Sequence, residues 1–202
     1  MENILNEPVL QYNYISAEEY LESEIQSKEK HEYYRGEIFA MSGASFHQND
    51  IFSNLFGNIA HQLKGKNCKP YGSDLRIHIP KNTLYTYPDI CIICGDPEFS
   101  DNKFDTATNP AVIIELLNKS TRNYDKGEKF TLYRDIESLK EYILVDTEKI
   151  YVEKHIRNTD KSWQLTDYRS LENHFTIQTV EIVLQLKDIY EGLKFDIPHS
   201  GF

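Results

Sequence analysis

Apolar and polar positions follow two different patterns along the chain, of which one predicts helices and the other predicts strands. The clearest helical repeat covers residues 48–64, where apolar side chains recur every four positions at Ile51, Leu55, Ile59 and Leu63. A shorter helix is predicted over 16–27, because Ser16 and Glu19 have the spacing of a capping box. The same reasoning predicts a third helix over about 126–136.

Runs that are rich in β-branched and aromatic residues predict the strands. Arg35-Gly36 lies between two such runs, which indicates a hairpin with a two-residue turn. Three segments are almost continuously apolar, as is typical of strands covered on both faces: 87–94, 111–117 and 141–146. Four more segments are predicted as strands: 75–80, 150–156, 163–165 and 181–186. A polar loop over 97–109 and a short helix near Lys187 complete the pattern.

Taken in order, these elements predict an α/β fold with a central mixed β-sheet flanked by helices. An N-terminal helix and hairpin precede the sheet, and extra strands follow it. We expect a polar, flexible arm over residues 1–14 and a single domain over residues 15–202. A chain of 202 residues is long enough to bury a core without disulfides or structural metals.

The charge balance narrows the functional classes. Charged residues make up 27% of the chain and the net charge is −10, which disfavours strong, purely electrostatic binding of nucleic acid. Divalent metal ions can still neutralise carboxylates locally within one cleft. No segment is apolar enough to span a membrane, and the N-terminus lacks the pattern of a secretion signal. A cytoplasmic location without membrane partners is therefore expected.

The three cysteines do not form a metal-binding motif. Cys91 and Cys94 are three residues apart in a predicted strand, so their side chains point to opposite faces and cannot easily share a metal or a disulfide. A zinc half-site would also need a second pair, and Cys68 is the only other cysteine. We expect three buried, inert thiols in a reducing compartment.

Two carboxylates in apolar segments are the candidate chemistry. Glu115 lies within Val-Ile-Ile-Glu-Leu-Leu, where an ionised carboxylate is costly unless it is paired, hydrogen-bonded or bound to a metal. For Glu115 alone, a structural ion pair is the favoured interpretation. Asp89 begins the other apolar strand, and if the two strands are neighbours both carboxylates could bind one Mg²⁺.

Two lysines are candidates for stabilising charge on a scissile phosphate. Lys119 follows Glu115 by four residues, and Lys129 lies on the predicted third helix, one turn before Tyr133. The alternative is an ordinary solvated start of a helix, in which Lys126 and Glu128 are surface charges.

The segments around these residues carry a distinctive combination of motifs. They read Y-P-D-I-C-I-I, then V-I-I-E-L-L-N-K-S-T-R-N-Y-D-K-G-E-K-F-T-L-Y-R, then L-K-E-Y-I-L-V-D. This combination resembles the Uma-two family of restriction endonucleases over about residues 15–190, and H-E-Y-Y-R-G-E-I and His47 match further family segments. The resemblance implies a restriction-endonuclease-like core, whose signature is Pro-Asp, a second acidic residue, a spacer and a lysine.

The resemblance assigns roles to individual residues. Asp89 and Glu115 become metal ligands, and Glu32 becomes a third candidate ligand, with a solvent-facing strand carboxylate as its alternative. Leu117 occupies the position where the superfamily has its lysine, so Lys129 from the following helix is the first candidate for that role and Lys119 the second.

Several polar residues have open roles. Asp74, Arg76 and His78 alternate along one strand face, where they could line a cleft or face water. His47 lies near a helix start, Asp125 is expected to cap the third helix, and Tyr133 is expected to pack. 

The resulting hypothesis is a Mg²⁺-dependent endonuclease that hydrolyses DNA phosphodiester bonds, with Mn²⁺ as a substitute and a homodimer as a plausible assembly for cutting two strands. The alternatives are an inactive nuclease-fold binding or assembly module, which the acidic charge and the displaced lysine favour, and the same chemistry on RNA. The sequence does not identify a recognised base sequence.

Overall fold

The computed structural model describes residues 14–100 and 105–195. The arm predicted over 1–14 therefore lies outside the described residues, apart from Tyr14.

The helices begin where the sequence places their caps. Helix α1 spans Ala17–Gln26, and its N-cap Ser16 forms the predicted capping box with Glu19. Helix α2 spans Phe46–Leu63 and starts two residues earlier than predicted, because the Ser45 side chain accepts from the backbone N–H of Gln48. The short C-terminal helix α5 spans Leu186–Ile189, as expected.

The third helical segment differs from its prediction. It consists of α3 (Arg122–Tyr124), a π-helical turn (Asp125–Lys129) and α4 (Phe130–Tyr133), so it begins and ends earlier than the predicted 126–136. A π turn inserts an extra residue into a helix, often at a functional site. Here it buries both Asp125 and Lys129.

Two principal sheets form the body of the molecule. The order of the six-stranded sheet is β11-β10-β9-β8-β6-β3, and only β8 and β9 pair in parallel, so the sheet is mixed. Its strands are β3 (Cys68–Gly72), β6 (Ile90–Cys94), β8 (Val112–Leu117), β9 (Glu141–Asp146), β10 (Val152–Arg157) and β11 (Trp163–Tyr168). This mixed sheet flanked by helices confirms the predicted fold class.

The second sheet has the order β2-β1-β5-β4-β7 and contains the predicted hairpin. Its strands are β1 (His31–Tyr34), β2 (Glu37–Ala40), β4 (Arg76–Ile79), β5 (Leu84–Thr86) and β7 (Thr106–Ala107). Arg35 and Gly36 both have positive φ, at 49° and 90°, as a type I′ turn requires. Strands β12 (His174–Ile177) and β13 (Ile182–Gln185) form a separate antiparallel pair.

Alternate residues of the six-stranded sheet face two different cores. On one face, Ile90 and Ile114 pack beneath the apolar stripe of α2. On the other face, Cys91 and Ile113 pack with Tyr133 of α4 and with residues of the second sheet. Because both faces are covered, these strands are apolar without alternation, as their sequences indicated.

A disulfide corrects the prediction for the cysteines. Cys68 on β3 lies opposite Cys94 on β6, and the two are bonded, whereas Cys91 is a buried free thiol as expected. The prediction failed because β3 contains Pro70 and Gly72, which disfavour strands except at edges, and the partner of Cys94 was therefore not recognised. Disulfides are more typical of oxidising compartments, and a cytoplasmic location stays a prediction.

Removal of this bond is expected to lower the free energy of unfolding. A cross-link between residues 26 apart restricts the unfolded chain, which corresponds to about 3.5 kcal/mol in the chain-entropy model. We expect urea unfolding of the Cys68→Ala/Cys94→Ala variant to match that of the reduced wild type, and added reductant to leave the variant unchanged. Three reactive thiols in unfolded, unreduced wild type, instead of one, would contradict the bond.

Within residues 14–100 and 105–195, no helix combines the length and the apolar character that crossing a membrane requires.

Candidate active site

The two predicted carboxylates meet at one end of neighbouring strands. Strands β6 and β8 pair antiparallel with Ile90 opposite Ile114, so the next residues, Asp89 and Glu115, are also opposite each other. The backbone N–H of Asp89 donates to Glu115 Oε2 at 3.2 Å, and the N–H of Leu116 donates to Asp89 Oδ2 at 2.8 Å. Sheet register thus fixes both carboxylates on the face that packs against the π-helical segment.

Lys129 reaches this pair from the π-helical turn. Its Nζ lies 3.1 Å from Glu115 Oε1 and 2.9 Å from Glu32 Oε1, and 3.7 Å from Asp125 Oδ1. The lysine therefore connects a strand of each principal sheet, because Glu32 belongs to β1 and Glu115 to β8. Its side chain is only 7% exposed, which excludes the alternative of a solvated helix start for this residue.

Two hydroxyl groups donate hydrogen bonds to the carboxylates of Glu115 and Glu32. The Tyr133 hydroxyl donates to Glu115 Oε1 at 2.8 Å, so this residue does more than pack. The Thr86 hydroxyl donates to Glu32 Oε1 and lies 3.5 Å from the Tyr133 oxygen. Glu115 and Glu32 are thereby each held by a lysine and a hydroxyl, which restricts their rotamers.

Negative charge exceeds positive charge in the cluster. Four buried or largely buried carboxyl groups, from Glu32, Asp89, Glu115 and Asp125, surround one ammonium group. Burial and then the charge of Glu115 raise the pKa of Asp89 to about 7 and that of Asp125 to about 6. Burial alone would lower the pKa of Lys129, but the neighbouring Glu115, Tyr133 and Glu32 raise it well above its ordinary value. Further positive charge would therefore be favourable here.

The donor set fits a hard divalent cation. Asp89 Oδ1 has one long contact, at 3.4 Å from the Gln48 side-chain amide, so it is available to a ligand. Among the described residues, no three His, Cys, Asp or Glu side chains are grouped closely enough to hold a metal ion by themselves. Mg²⁺ commonly binds one or two carboxylates and keeps several waters, which the Asp89–Glu115 pair can provide. A third ligand role for Glu32 stays a prediction, since its Oε1 contacts Lys129.

A cavity of about 890 Å³ opens above these groups. Asp89, Glu115 and Lys129 line it together with the hairpin residues Tyr34 and Phe39. The size is typical of binding clefts, and polar groups converge at one point of its wall. The arrangement is suited to holding a charged ligand against the two carboxylates and the lysine.

Lys119, His47 and Asp74 do not belong to the cluster around Lys129. Lys119 is exposed and, with His47, lines a neighbouring cavity of about 670 Å³. Asp74 is exposed, and its Oδ1 lies 2.5 Å from the Nζ of Lys30. Lys30 in turn lines the first cavity. 

Arg76 and His78 are not cleft residues in this arrangement. The Arg76 guanidinium is buried, donating to Thr106 Oγ1 at 2.9 Å and pairing with Asp105 at 3.0 Å. The His78 ring stacks on Tyr85 at 3.9 Å, where burial and then Arg76 lower its pKa to about 4.

Two members of the site were not recognised from the sequence. Asp125 was expected to be a cap but lies buried beside Lys129, and the signal for it was their separation by four residues in a helical segment. Thr86 ends a strand that was not predicted, and nothing in its sequence context indicates its contact with Glu32.

Comparison with solved structures places the fold among known proteins. The chain superimposes with a TM-score of 0.69 on the crystal structure, at 1.96 Å resolution, of a protein described as a putative nuclease belonging to DUF820 from Anabaena variabilis ATCC 29413. The alignment covers 87% of this chain and 97% of that one, at 16% sequence identity, so it supports similarity of fold.

Two curated relatives come from Synechocystis sp. (strain ATCC 27184 / PCC 6803 / Kazusa). The uncharacterized protein slr1290 is 32% identical over 192 residues, covering 95% of this chain and all of the relative. The uncharacterized protein sll1609 is 37% identical over 153 residues, covering 76% of this chain and 86% of the relative. The family model Uma2, described as "putative restriction endonuclease", matches residues 17–187, which include every site residue named above. This chain therefore belongs to the Uma2 (Uma-two) family.

Proposed function

We propose that the protein is a Mg²⁺-dependent endonuclease that hydrolyses DNA phosphodiester bonds at the Asp89–Glu115 pair. The observation that carries this proposal is the contact of a buried lysine, Lys129, with Glu115 beside a second carboxylate at the wall of one cleft. Two carboxylates and a lysine at one point supply oxygen ligands for a cation and a fixed positive charge for a phosphate.

Each residue has a distinct task. Asp89 and Glu115 would hold the cation, and Mn²⁺ could replace Mg²⁺ at oxygen ligands. When bound, the metal supplies polarisation of the phosphodiester and a lowered pKa of the attacking water. Lys129 orients that water or stabilises charge on the phosphate. The hydrogen bond from Tyr133 holds Glu115 in place, and the ion pair with Glu32 holds Lys129 in place.

The contact of Lys129 with Glu115 weakens the case for an inactive binding module. That alternative drew on the absence of lysine at Leu117, and the π-helical turn supplies an ammonium group 3.1 Å from Glu115 instead. The net charge of −10 still favours the alternative, because it opposes approach of a polyanion. Binding of nucleic acid without cleavage under any divalent ion would support it.

A homodimer is part of the proposal for duplex DNA, because two sites can cut two strands. Light scattering in dilute solution would detect it, and a monomer that cuts only single strands would remove the need for it.

Loss of either carboxylate is expected to lower the cleavage rate by at least about a hundredfold, because loss of a residue that only supports a metal ligand already costs about 10- to 100-fold. Asp89→Asn and Glu115→Gln keep the shape of each side chain and remove the charge that attracts the cation. Rates with Mg²⁺ and Mn²⁺ on plasmid and oligonucleotide DNA, with RNA tested alongside, measure the activity, and calorimetry measures metal binding. Asp96→Asn is the matched control, because Asp96 is exposed just beyond the opposite end of β6. Unchanged cutting by both site variants would overturn the proposal.

A further inference from the structure

We infer that the cleft takes an unpaired strand of nucleic acid, with bases stacked on Phe39 and Phe46, in preference to a duplex. The inference rests on the proposed nuclease function and specifies its substrate class. Three features carry it: the depth of the reacting groups, the charge of the lining and the positions of two exposed rings.

The reacting groups are buried in the wall of the cleft, which favours a flexible strand over a rigid duplex. The side chains of Glu115 and Lys129 are only 4% and 7% exposed, at the wall of a cavity of about 890 Å³. A single strand can bend to place one phosphate against Glu115, whereas a duplex is far stiffer, with a persistence length of about 150 base pairs.

The charge of the lining also disfavours a duplex. Among residues 14–100 and 105–195, six carboxyl groups and two lysines line the cavity. Both lysines are already ion-paired, Lys30 with Asp74 and Lys129 with Glu32 and Glu115. Duplex binding draws most of its affinity from cations placed along two phosphate backbones. Because the described lining of this cleft has no unpaired lysine for the phosphates, a nucleic acid must gain affinity there from contacts of its bases.

Two exposed aromatic rings are placed to make those contacts. Phe39 on the edge strand β2 is 46% exposed and lines the first cavity, and Phe46 at the start of α2 is 80% exposed and lines the second. Stacking of a base on such a ring contributes about 1–3 kcal/mol and depends little on base identity. An exposed ring in each cavity thus offers sequence-tolerant binding on two sides.

The two cavities form one path past the carboxylates. They share five lining residues, namely Ser42, Gly43, Gln48, Asn118 and Ser120. Gln48 also contacts Asp89 at 3.4 Å, which places the carboxylates near the junction of the two cavities. A strand that follows this path passes Phe39, then Asp89 and Glu115, then Phe46, and its phosphates meet the exposed Lys119 in the second cavity.

Fluorescence anisotropy with labelled oligonucleotides tests the inference. One short sequence is presented as single-stranded DNA, single-stranded RNA and duplex DNA, with Ca²⁺ in place of Mg²⁺ to slow cleavage. We expect single strands to bind at least about tenfold more tightly than the duplex, and Phe39→Ala and Phe46→Ala each to weaken single-strand binding about tenfold. Leu165→Ala is the matched control, because Leu165 is 53% exposed on β11 and lines neither cavity.

The outcomes separate this inference from the nuclease proposal. The inference is overturned if the duplex binds as tightly as the single strands, or if no oligonucleotide binds. It is also overturned if neither Phe39→Ala nor Phe46→Ala weakens single-strand binding. Tight, ring-dependent single-strand binding without cleavage in Mg²⁺ supports the inference and rejects the nuclease proposal. Cleavage that prefers duplex DNA supports the nuclease proposal and rejects the inference, and the comparison of DNA with RNA strands identifies the sugar.

Discussion

Replacement of Lys129 by methionine is expected to lower the cleavage rate about a thousandfold, because a fixed charge at a developing oxyanion commonly contributes a factor of this order. The ammonium group of Lys129 is buried and contacts Glu115 at 3.1 Å, so solvent cannot replace it. Methionine preserves most of the aliphatic stem and removes only the charge. The expected loss therefore lies in turnover, which single-turnover kinetics at saturating Mg²⁺ measure directly.

The same substitution also disturbs the charge balance, and a second variant separates the two effects. Removal of one partner from a buried ion pair costs roughly 3–5 kcal/mol, since the other charge stays buried. Glu32→Gln/Lys129→Met removes a carboxylate together with the ammonium group, and is expected to recover stability in urea unfolding but no activity. Recovered cleavage in the double variant would show that Lys129 acts only through folding.

Lys119→Met provides the comparison between the two lysines. Lys119 is exposed in the neighbouring cavity, so its loss is expected to raise KM and to leave kcat within about threefold of the wild type. Cleavage that survives in Lys129→Met and disappears in Lys119→Met would reverse the assignment.

The sequence predicted the carboxylate pair because its signal is local. Apolar residues on both sides of Glu115 and after Asp89 indicate buried strands, and a buried charge needs a partner wherever it lies. Adjacency of the two strands was an expectation, and the pairing of Ile90 with Ile114 confirms it. Lys129 was one of two candidate lysines from its position in the sequence, and the family resemblance ranked it above Lys119, since no periodicity indicates that a helical lysine turns inward.

The remaining parts of the site depend on contacts that no local pattern encodes. The contact of Glu32 with Lys129 arises because the hairpin sheet packs against the helical segment, across about 100 residues of chain. The π-helical turn also could not be predicted from the sequence, because Asp125–Lys129 has the composition of an ordinary polar stretch of α-helix. Likewise, the partner of Cys94 was missed because Pro70 and Gly72 obscure the strand that carries Cys68.

Without a divalent ion, the contribution of Asp89 to the free energy of unfolding is expected to fall as the pH rises from about 4 to above 7. The folded state raises the pKa of Asp89 from 3.8 to about 7, mainly through burial and the charge of Glu115. The folded protein thus holds this proton more tightly than the unfolded chain, and the resulting stability is present below pH 4 and lost as the pH rises through 7. The loss amounts to at most about 4 kcal/mol, reduced by water on the cavity side of the carboxylate.

Asp89→Asn isolates this contribution, because asparagine keeps the shape and cannot ionise. The free energy of unfolding, measured in urea with a chelator at pH 5.5 and pH 8, should fall less between these values in Asp89→Asn than in the wild type. Titrating groups far from Asp89 affect both proteins and cancel in the difference, whereas Asp125, whose pKa is raised to about 6, interacts with Asp89, so the difference measures Asp89 together with its coupling to Asp125. Added Mg²⁺ should stabilise the wild type most at pH 8, where no proton competes at Asp89, and should stabilise Asp89→Asn far less. Equal pH slopes in the two proteins would show that folding does not raise the pKa of Asp89.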